Sequence, residues 1–346
     1  MEITAQSMSE IFDVDIEAVT QTPIGDGLVG LNMRVELVMP SAAPAHAAVP
    51  SSVVVKLPSL DETSRSAGVA LRNYEREVKF YNELADTVDI RVPQCFHSHW
   101  DDGTGDFVLV LEDMAPAMQG NQVTGCDAST AALAVDALTA LHGPRWEDPT
   151  LLEHDFLTRR SGADDAAQLV GLWQMFLPGF VQTYGHLLDD AMMMLLEEFG
   201  PKLGDWVEGA SGPLAVTHGD YRLDNLLFGT DAGGPPVTAV DWQTPGHGQP
   251  IVDLAYFCGA GLLPAERRAV ERDLLRRYVA GLERYGVTAE LGWVEEQYRR
   301  HAFAGVIMAV VASQVVGGTD RSEAMFGAMA TRHLTHCLDL DALDSI

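Results

Sequence analysis

Over roughly its first hundred residues the chain alternates apolar and polar positions with a period of two. Met33, Val35, Leu37 and Met39 alternate with Arg34 and Glu36, which predicts a strand with one buried face. A Pro/Ala-rich stretch at 40–50 separates it from the apolar run Val53, Val54, Val55, Lys56, Leu57, so a hairpin with a long connection is expected. From about 66 to 85 the period becomes helical, with Tyr74, Val78, Tyr81 and Leu84 on or near one face. Residues 95–100 and 107–111 read as two more strands around the turn Asp101, Asp102, Gly103, Thr104, Gly105.

Beyond Glu112 the helical period dominates. Helices are expected at 128–142, in segments from about 164 to 208, at 264–285, 291–314 and 322–340, with short strands and turns confined to about 214–241. The phrase Asp113, Met114, Ala115, Pro116 reads as a hinge, and no internal repeat is visible. The expected architecture is α+β: a small β-rich lobe over residues 1–113 and a larger, mainly helical lobe over 114–346.

At 346 residues the chain is long enough for two such lobes, and 47% hydrophobic with 21% charged residues is a globular composition. Its 50 acidic against 22 basic residues give a formal charge of −28. Nucleic acid is excluded as a favoured partner, because phosphate neutralisation needs clustered Lys and Arg. Such a surface draws a cationic small molecule, or serves only solubility. Four widely spaced cysteines (Cys95, Cys126, Cys258, Cys337) form neither a zinc nor a disulfide pattern. The N-terminal residues lack a signal-peptide pattern, and the most apolar stretch, 302–313, is too short to span a bilayer. A cytoplasmic chain without membrane association or an obligate protein partner is expected.

Gly25, Gly27 and Gly30 match G-x-G-x-x-G, a pattern equally that of an ordinary turn. A dinucleotide fingerprint opens a helix, whereas these glycines lead into a strand. A glycine-rich hairpin over ATP phosphates is the better functional reading, and a dinucleotide-dependent oxidoreductase is disfavoured. Lys56 is one of three lysines in the chain and closes an apolar strand. An ammonium there could bridge α- and β-phosphates if a carboxylate on the next helix holds it. Glu77 is the expected partner, ahead of Glu75; the alternative is that both carboxylates solvate the helix. The strand 109–114 ends at the hinge. In a kinase-like cleft its backbone, at Glu112 and Met114, would pair with adenine.

The strongest signal is the octapeptide His218, Gly219, Asp220, Tyr221, Arg222, Leu223, Asp224, Asn225, followed at Asp241 by a lone aspartate after an apolar run. Phosphoryl transfer needs a carboxylate to orient and deprotonate a hydroxyl, and hard oxygen ligands to hold magnesium on the phosphates. Asp220 suits the first role, and Asn225 with Asp241 the second. His218 is expected to brace the loop. Arg222 could reach the transferred phosphoryl group or pair with Asp224. Asp253, at the start of an apolar helix, reads as an N-cap, with support of the loop compatible. Met192, Met193, Met194, Trp173, Phe176, Phe180 and Tyr184 read as core.

These phrases, with 240–243, the run Asp253, Leu254, Ala255, Tyr256 and the hinge phrase at 111–116, resemble the aminoglycoside phosphotransferase and choline kinase superfamily. The nearest likeness is to its bacterial ecdysteroid-kinase-related branch, and the resemblance runs from Gly25 to about Tyr256. It implies a two-lobed protein-kinase-like fold, ATP, Mg2+ and a small-molecule hydroxyl acceptor. It also implies Asp220 as base, Asn225 and Asp241 on the metal, and Lys56 with Glu77 on the ATP phosphates. Trp242 and Gln243 stand where protein kinases have Phe-Gly, so no flip of Asp241 is expected. Leu31 and Asn32 follow the glycines, where a protein kinase places valine two residues on. No activation segment follows, which disfavours a protein substrate. An amino-bearing alcohol or aminoglycoside and a steroid-like alcohol both remain as acceptors; a hydroxyacyl-CoA would need a basic patch. A nucleotide-binding pseudokinase is the alternative of another class.

Overall fold

The alternation in the first hundred residues becomes a five-stranded antiparallel sheet in the computed structural model, which describes residues 2–25, 30–40, 49–159, 162–315 and 318–346. The chain forms two compact units, one of Met1–Asp86, Val92–Pro116 and Val240–Gln243, the other of Thr87–Arg91, Ala117–Ala239 and Thr244–Ile346.

In the first unit α1 (Ala5–Phe12) is closed by a reciprocal capping box between Thr4 and Ser7. The strands are β1 (Ala18–Pro23), β2 (Gly30–Val38), β3 (Ser52–Pro58), β4 (Cys95–Asp101) and β5 (Asp106–Glu112), in the order β1-β2-β3-β5-β4. Successive side chains on a strand point to opposite faces. Val53 and Val55 of β3 therefore join Val35, Leu37, Val108, Val110 and Met8 in one core, which puts Lys56 on the other face. That face carries α3 (Asn73–Lys79), whose Tyr74 stacks on Phe107 of β5 with ring centroids 4.5 Å apart.

The sequence pattern suggested one helix from 66 to 85; the structure has α2 (Glu62–Ala70), a break, α3, and then a π turn over Phe80–Leu84. The break lies at Arg72, whose φ is 58° and whose guanidinium holds Glu75 through Nε–Oε2 and Nη2–Oε1 bonds of 2.7 Å. α2 and α3 approach closely across it: a Cβ at Gly68 would stand 2.5 Å from the Tyr74 ring, which would have to shift. Neither α1 nor β1 was legible in the pattern. β1 is an edge strand exposed at nearly every position, so burial leaves no alternation on it.

The second unit is mainly helical. β6 (Met118–Gln119) precedes α4 (Ala128–His142), which spans the expected residues and is capped by Asp127 on the Thr130 amide. Then come α5 (Ala163–Tyr184), α6 (Asp190–Phe199) and α7 (Leu203–Glu208), followed by β7 (Ala215–Thr217), β8 (Leu226–Thr230), β9 (Gly233–Ala239) and β10 (Gly246–Gly248). The chain continues through α8 (Ile251–Gly261), α9 (Pro264–Glu283), α10 (Leu291–His301), α11 (Phe303–Val315) and α12 (Asp320–Asp339). The helix expected over 291–314 is divided at Ala302. α10 turns one face inward at Val294, Tyr298 and His301, whereas α11 is buried nearly all round, and one straight rod could not serve both environments. The core gathers Trp173, Phe180, Tyr184, Phe199, Phe303 and Met329; Phe199 and Phe303 stack at 3.9 Å. Phe176, Met192 and Met193 pack against it, but Met194 is 58% exposed, contrary to its reading as core. Among the described residues, no helix is long and apolar enough to cross a membrane.

Candidate functional site

In the first unit three predicted residues meet. Lys56 Nζ donates to Glu77 Oε1 at 2.5 Å and to Asp241 Oδ1 at 3.0 Å. Burial alone would push the ammonium down; the Asp241 and Glu77 carboxylates outweigh it and hold the pKa above its ordinary value. Burial raises the Glu77 carboxyl against the pull of Lys56, and Asp241 adds to the rise. Glu75 points elsewhere, bonded to Arg72 and to Lys79 at 3.0 Å. The Arg72 hydrogen bond leads burial, which opposes it, and with Lys79 holds the Glu75 carboxyl at about 2.

The two carboxylates on Lys56 differ in reach. Glu77 is fully buried, while the Asp241 side chain is 37% exposed. Asp241 is thus the carboxylate open to a cation. Its φ of 67° lies in the left-handed region, unusual for a residue with a Cβ. Trp242 shows what holds that conformation: fully buried, it stacks on Phe80 at 3.8 Å and 5°.

The hinge phrase is tied down through Asp113. Its carboxylate accepts from Arg34 Nε at 2.8 Å, Arg34 Nη2 at 3.0 Å, Ser52 Oγ at 2.7 Å and the Ala115 amide at 3.1 Å. Burial raises its pKa, but these donors prevail and the net shift is downward. Glu112 ends β5 with its N–H donating to the Gln94 carbonyl at 2.8 Å; Met114 is buried. Gly25 has a φ of 69°, and Gly30 opens β2 opposite Pro58, so the glycines lead into a strand as expected. Gly27 lies outside the described residues.

In the second unit the octapeptide forms a loop between β7 and β8, closed by a short turn at Leu223–Asn225. Asp253 organises it. The sequence reading made this residue an N-cap, but it is the third residue of α8, whose N-cap is Pro250 without a side-chain bond. Its buried carboxylate instead accepts from the amides of His218 at 2.7 Å and Gly219 at 3.0 Å. His142 Nε2 lies 3.4 Å from the same carboxylate, and His142 Nδ1 pairs with the Tyr278 hydroxyl at 2.8 Å. His218 Nδ1 accepts from the Asp220 amide at 3.3 Å, a bracing contact. Gly219, at φ 80°, passes so close to Thr244 that a Cβ would stand 2.3 Å from its carbonyl oxygen.

Asp220 is held on both oxygens. Oδ1 accepts from the Tyr256 hydroxyl at 2.8 Å, Oδ2 from Asn225 Nδ2 at 2.9 Å, and Arg222 Nε lies 3.2 and 3.1 Å from the two. Asn225 Nδ2 also donates to the Asp220 carbonyl at 2.8 Å, which turns the amide oxygen to the other side. Arg222 spends Nη1 on Asp224 at 2.7 Å. Burial works against its charge, but Asp220 leads the neighbours that raise its pKa. Gln122, whose Oε1 accepts from the Leu223 amide at 2.9 Å, was missed as a neighbour of the loop, as were Tyr256 and His142. A signal existed for Tyr256: it stands three residues after Asp253 on a helix, hence on the same face.

Within the first unit Asp241 presents a partly exposed carboxylate, and within the second Asn225 has its amide nitrogen spent on Asp220. No group of three or more His, Cys, Asp or Glu able to hold a metal ion occurs among the described residues. A carboxylate and an amide oxygen are each hard oxygen donors, the type that suits magnesium, which needs few protein ligands when it is carried with phosphates.

An antiparallel five-stranded sheet carrying a lysine–glutamate pair, and a mainly helical unit carrying the 218–225 loop, define the protein-kinase-like class of phosphotransferases. A GDP complex of an aminoglycoside 2'-phosphotransferase-IIIa variant matches with a TM-score of 0.52 and 14% identity, over 97% of this chain and 95% of that one. A gentamicin complex of APH(2")-IIa matches with a TM-score of 0.52 and 13% identity, over 96% of each chain. At such identity the likeness is one of fold alone. The chain belongs to the phosphotransferase enzyme family, whose sequence profile matches residues 48–291, well over half its length. A segment of 74 residues is also 32% identical to mouse acyl-CoA dehydrogenase family member 10, covering 20% of this chain and 7% of that protein.

Proposed function

We propose that this chain transfers the γ-phosphoryl group of MgATP to a hydroxyl of a small molecule. The observation that carries the reading is Lys56, buried and bonded to both Glu77 and Asp241. Lysine so placed is a fixed positive charge for phosphate oxygens, and Glu77 keeps it aligned. In this reading residues 1–113 carry the glycine loop, the phosphate lysine and its glutamate, and 114–346 the catalytic loop, the metal aspartate and the acceptor site. Gly25, Gly27 and Gly30 lie over the phosphates, while the backbone at Glu112 and Met114 meets the base. Asn225 and Asp241 are the magnesium ligands, and the ion, when bound, neutralises phosphate charge. Asp220 orients the acceptor hydroxyl and takes its proton. Arg222 reaches the reaction through Asp220, given where its Nε lies. The four cysteines are free thiols, which suits a cytoplasmic setting.

An amino-bearing alcohol is the acceptor favoured by the charge of −28. A hydroxyacyl-CoA is the second reading, favoured by the segment shared with the mouse acyl-CoA dehydrogenase family member. The charge opposes it, because coenzyme A carries phosphates. The test is ADP release from MgATP across panels of aminoglycosides, amino alcohols, sterols and hydroxyacyl-CoAs, with Asp220→Asn as blank. Acceptor-dependent ADP that the blank loses supports the proposal. Nucleotide binding without turnover on any acceptor would instead favour a pseudokinase.

A further inference from the structure

We propose that Tyr256 is a positioning residue for Asp220: its hydroxyl, 2.8 Å from Oδ1, sets the rotation of the carboxylate that meets the acceptor. The inference rests on the phosphotransfer reading of Asp220. Tyr256 leaves α8 on the face that also carries Asp253, so one helix turn holds both the backbone of the loop and its carboxylate. Three donors define the carboxylate plane. Asn225 reaches Oδ2, Arg222 Nε straddles both oxygens, and Tyr256 supplies the bond that reaches Oδ1 alone. Without that bond, rotation about the Cβ–Cγ bond is resisted by Arg222 and Asn225 only.

The tyrosine is itself held from behind. Its ring stacks on His333 at 5.3 Å and 10°, and His333 is fully buried, with neither ring nitrogen hydrogen-bonded. The imidazole therefore acts as a flat plate rather than as a polar group. Two glycines make its slot: a Cβ at Gly305 would stand 2.1 Å from the ring and one at Gly259 2.5 Å. Burial, then the neighbouring Asp220 carboxylate, raises the Tyr256 phenol well above its ordinary pKa against the opposing Arg222. Both effects favour the protonated hydroxyl, the form that donates.

Tyr256→Phe removes the bond and keeps the ring on its plate. With the best acceptor, or with water as acceptor in slow MgATP hydrolysis, kcat is expected to fall about 10- to 100-fold, as for other misplaced reacting groups, with KM for ATP unchanged. In an Asp220→Asn background the same change should cost less than about twofold, because residues acting as one unit are not additive. A kcat within about twofold of the parent, a rise in KM alone, or an equal fall in both backgrounds would overturn the proposal. If the parent turns over no ATP with any acceptor, the phosphotransfer reading fails by itself. A crystal structure of Tyr256→Phe still judges the clamp: a rotated Asp220 carboxylate supports it, and an unmoved one refutes it.

Discussion

Lys56 and Glu77, twenty-one positions apart, meet at 2.5 Å with the carboxylate wholly buried, so the Glu77 charge is costly without its lysine, which Asp241 also pairs. Lys56→Ala should lower the free energy of unfolding by about 3 kcal/mol, the usual cost of stranding one partner of a buried pair. Urea denaturation measures it. Because the lysine pKa is raised, its contribution is complete below about pH 10.5 and is lost only as pH climbs through the higher folded value. Wild type and variant should therefore keep a constant difference between pH 7 and 9.

Asp241→Ala removes the exposed carboxylate and leaves the Lys56–Glu77 bond in place. Titration calorimetry should show magnesium-dependent tightening of ATP binding in the parent and its loss in the variant. Equal magnesium dependence in both would assign the metal to another ligand.

Asp253→Ala deprives two amides of the loop, those of His218 and Gly219, of their acceptor. Each buried donor left unsatisfied costs about 1–3 kcal/mol, so a loss of roughly 3 kcal/mol is expected by denaturant titration. Asp253→Asn retains a carbonyl oxygen and should lose less.

Gly219→Ala is expected to abolish turnover. The position combines a φ of 80° with the Thr244 carbonyl 2.3 Å from any Cβ, so the loop must move away from its present path. Alanine at Gly171, where nothing lies within 4 Å, is the control and should be neutral or slightly stabilising in thermal unfolding.

Mild acid should weaken the protein before its carboxylates titrate. Burial, with Arg300 beside His301 and with Arg332 and Arg267 beside His333, holds both imidazoles at about 3, against 6.5 ordinarily. Their pKa values are depressed, so stability is complete above about pH 6.5 and declines as the unfolded chain takes up protons that the native state refuses. These two alone give a slope approaching about 3 kcal/mol per pH unit well below pH 6.5, and His336, pushed well down by burial and then by Arg267 and His333, adds to it. Glu75, held at about 2, contributes to acid loss only below its ordinary 4.5. His333→Phe should flatten the decline between pH 6.5 and 4.5, read from urea midpoints.

The residue types that carry the proposed chemistry, and their order, were legible in the chain. Strand period is a local property too, and once β3 forms it puts Lys56 on the opposite sheet face from Val53 and Val55. Helix α4 spans the residues expected for it, since the helix propensity of its Ala and Leu residues is local as well.

Other features depend on packing. Glu77 and Glu75 were both candidates for Lys56; Arg72, left-handed at the break between α2 and α3, takes Glu75 away. Asp253 looked like a cap and became the acceptor for a loop thirty-five residues earlier, and Tyr256 was one more apolar position until α8 laid it against Asp220. Sequence by itself determined which groups this protein has and which face of each element they share, because backbone periodicity is set by neighbouring residues. Tertiary structure decided which of those groups touch. Side-chain bonds across tens of residues depend on how elements cross, and no local pattern records that.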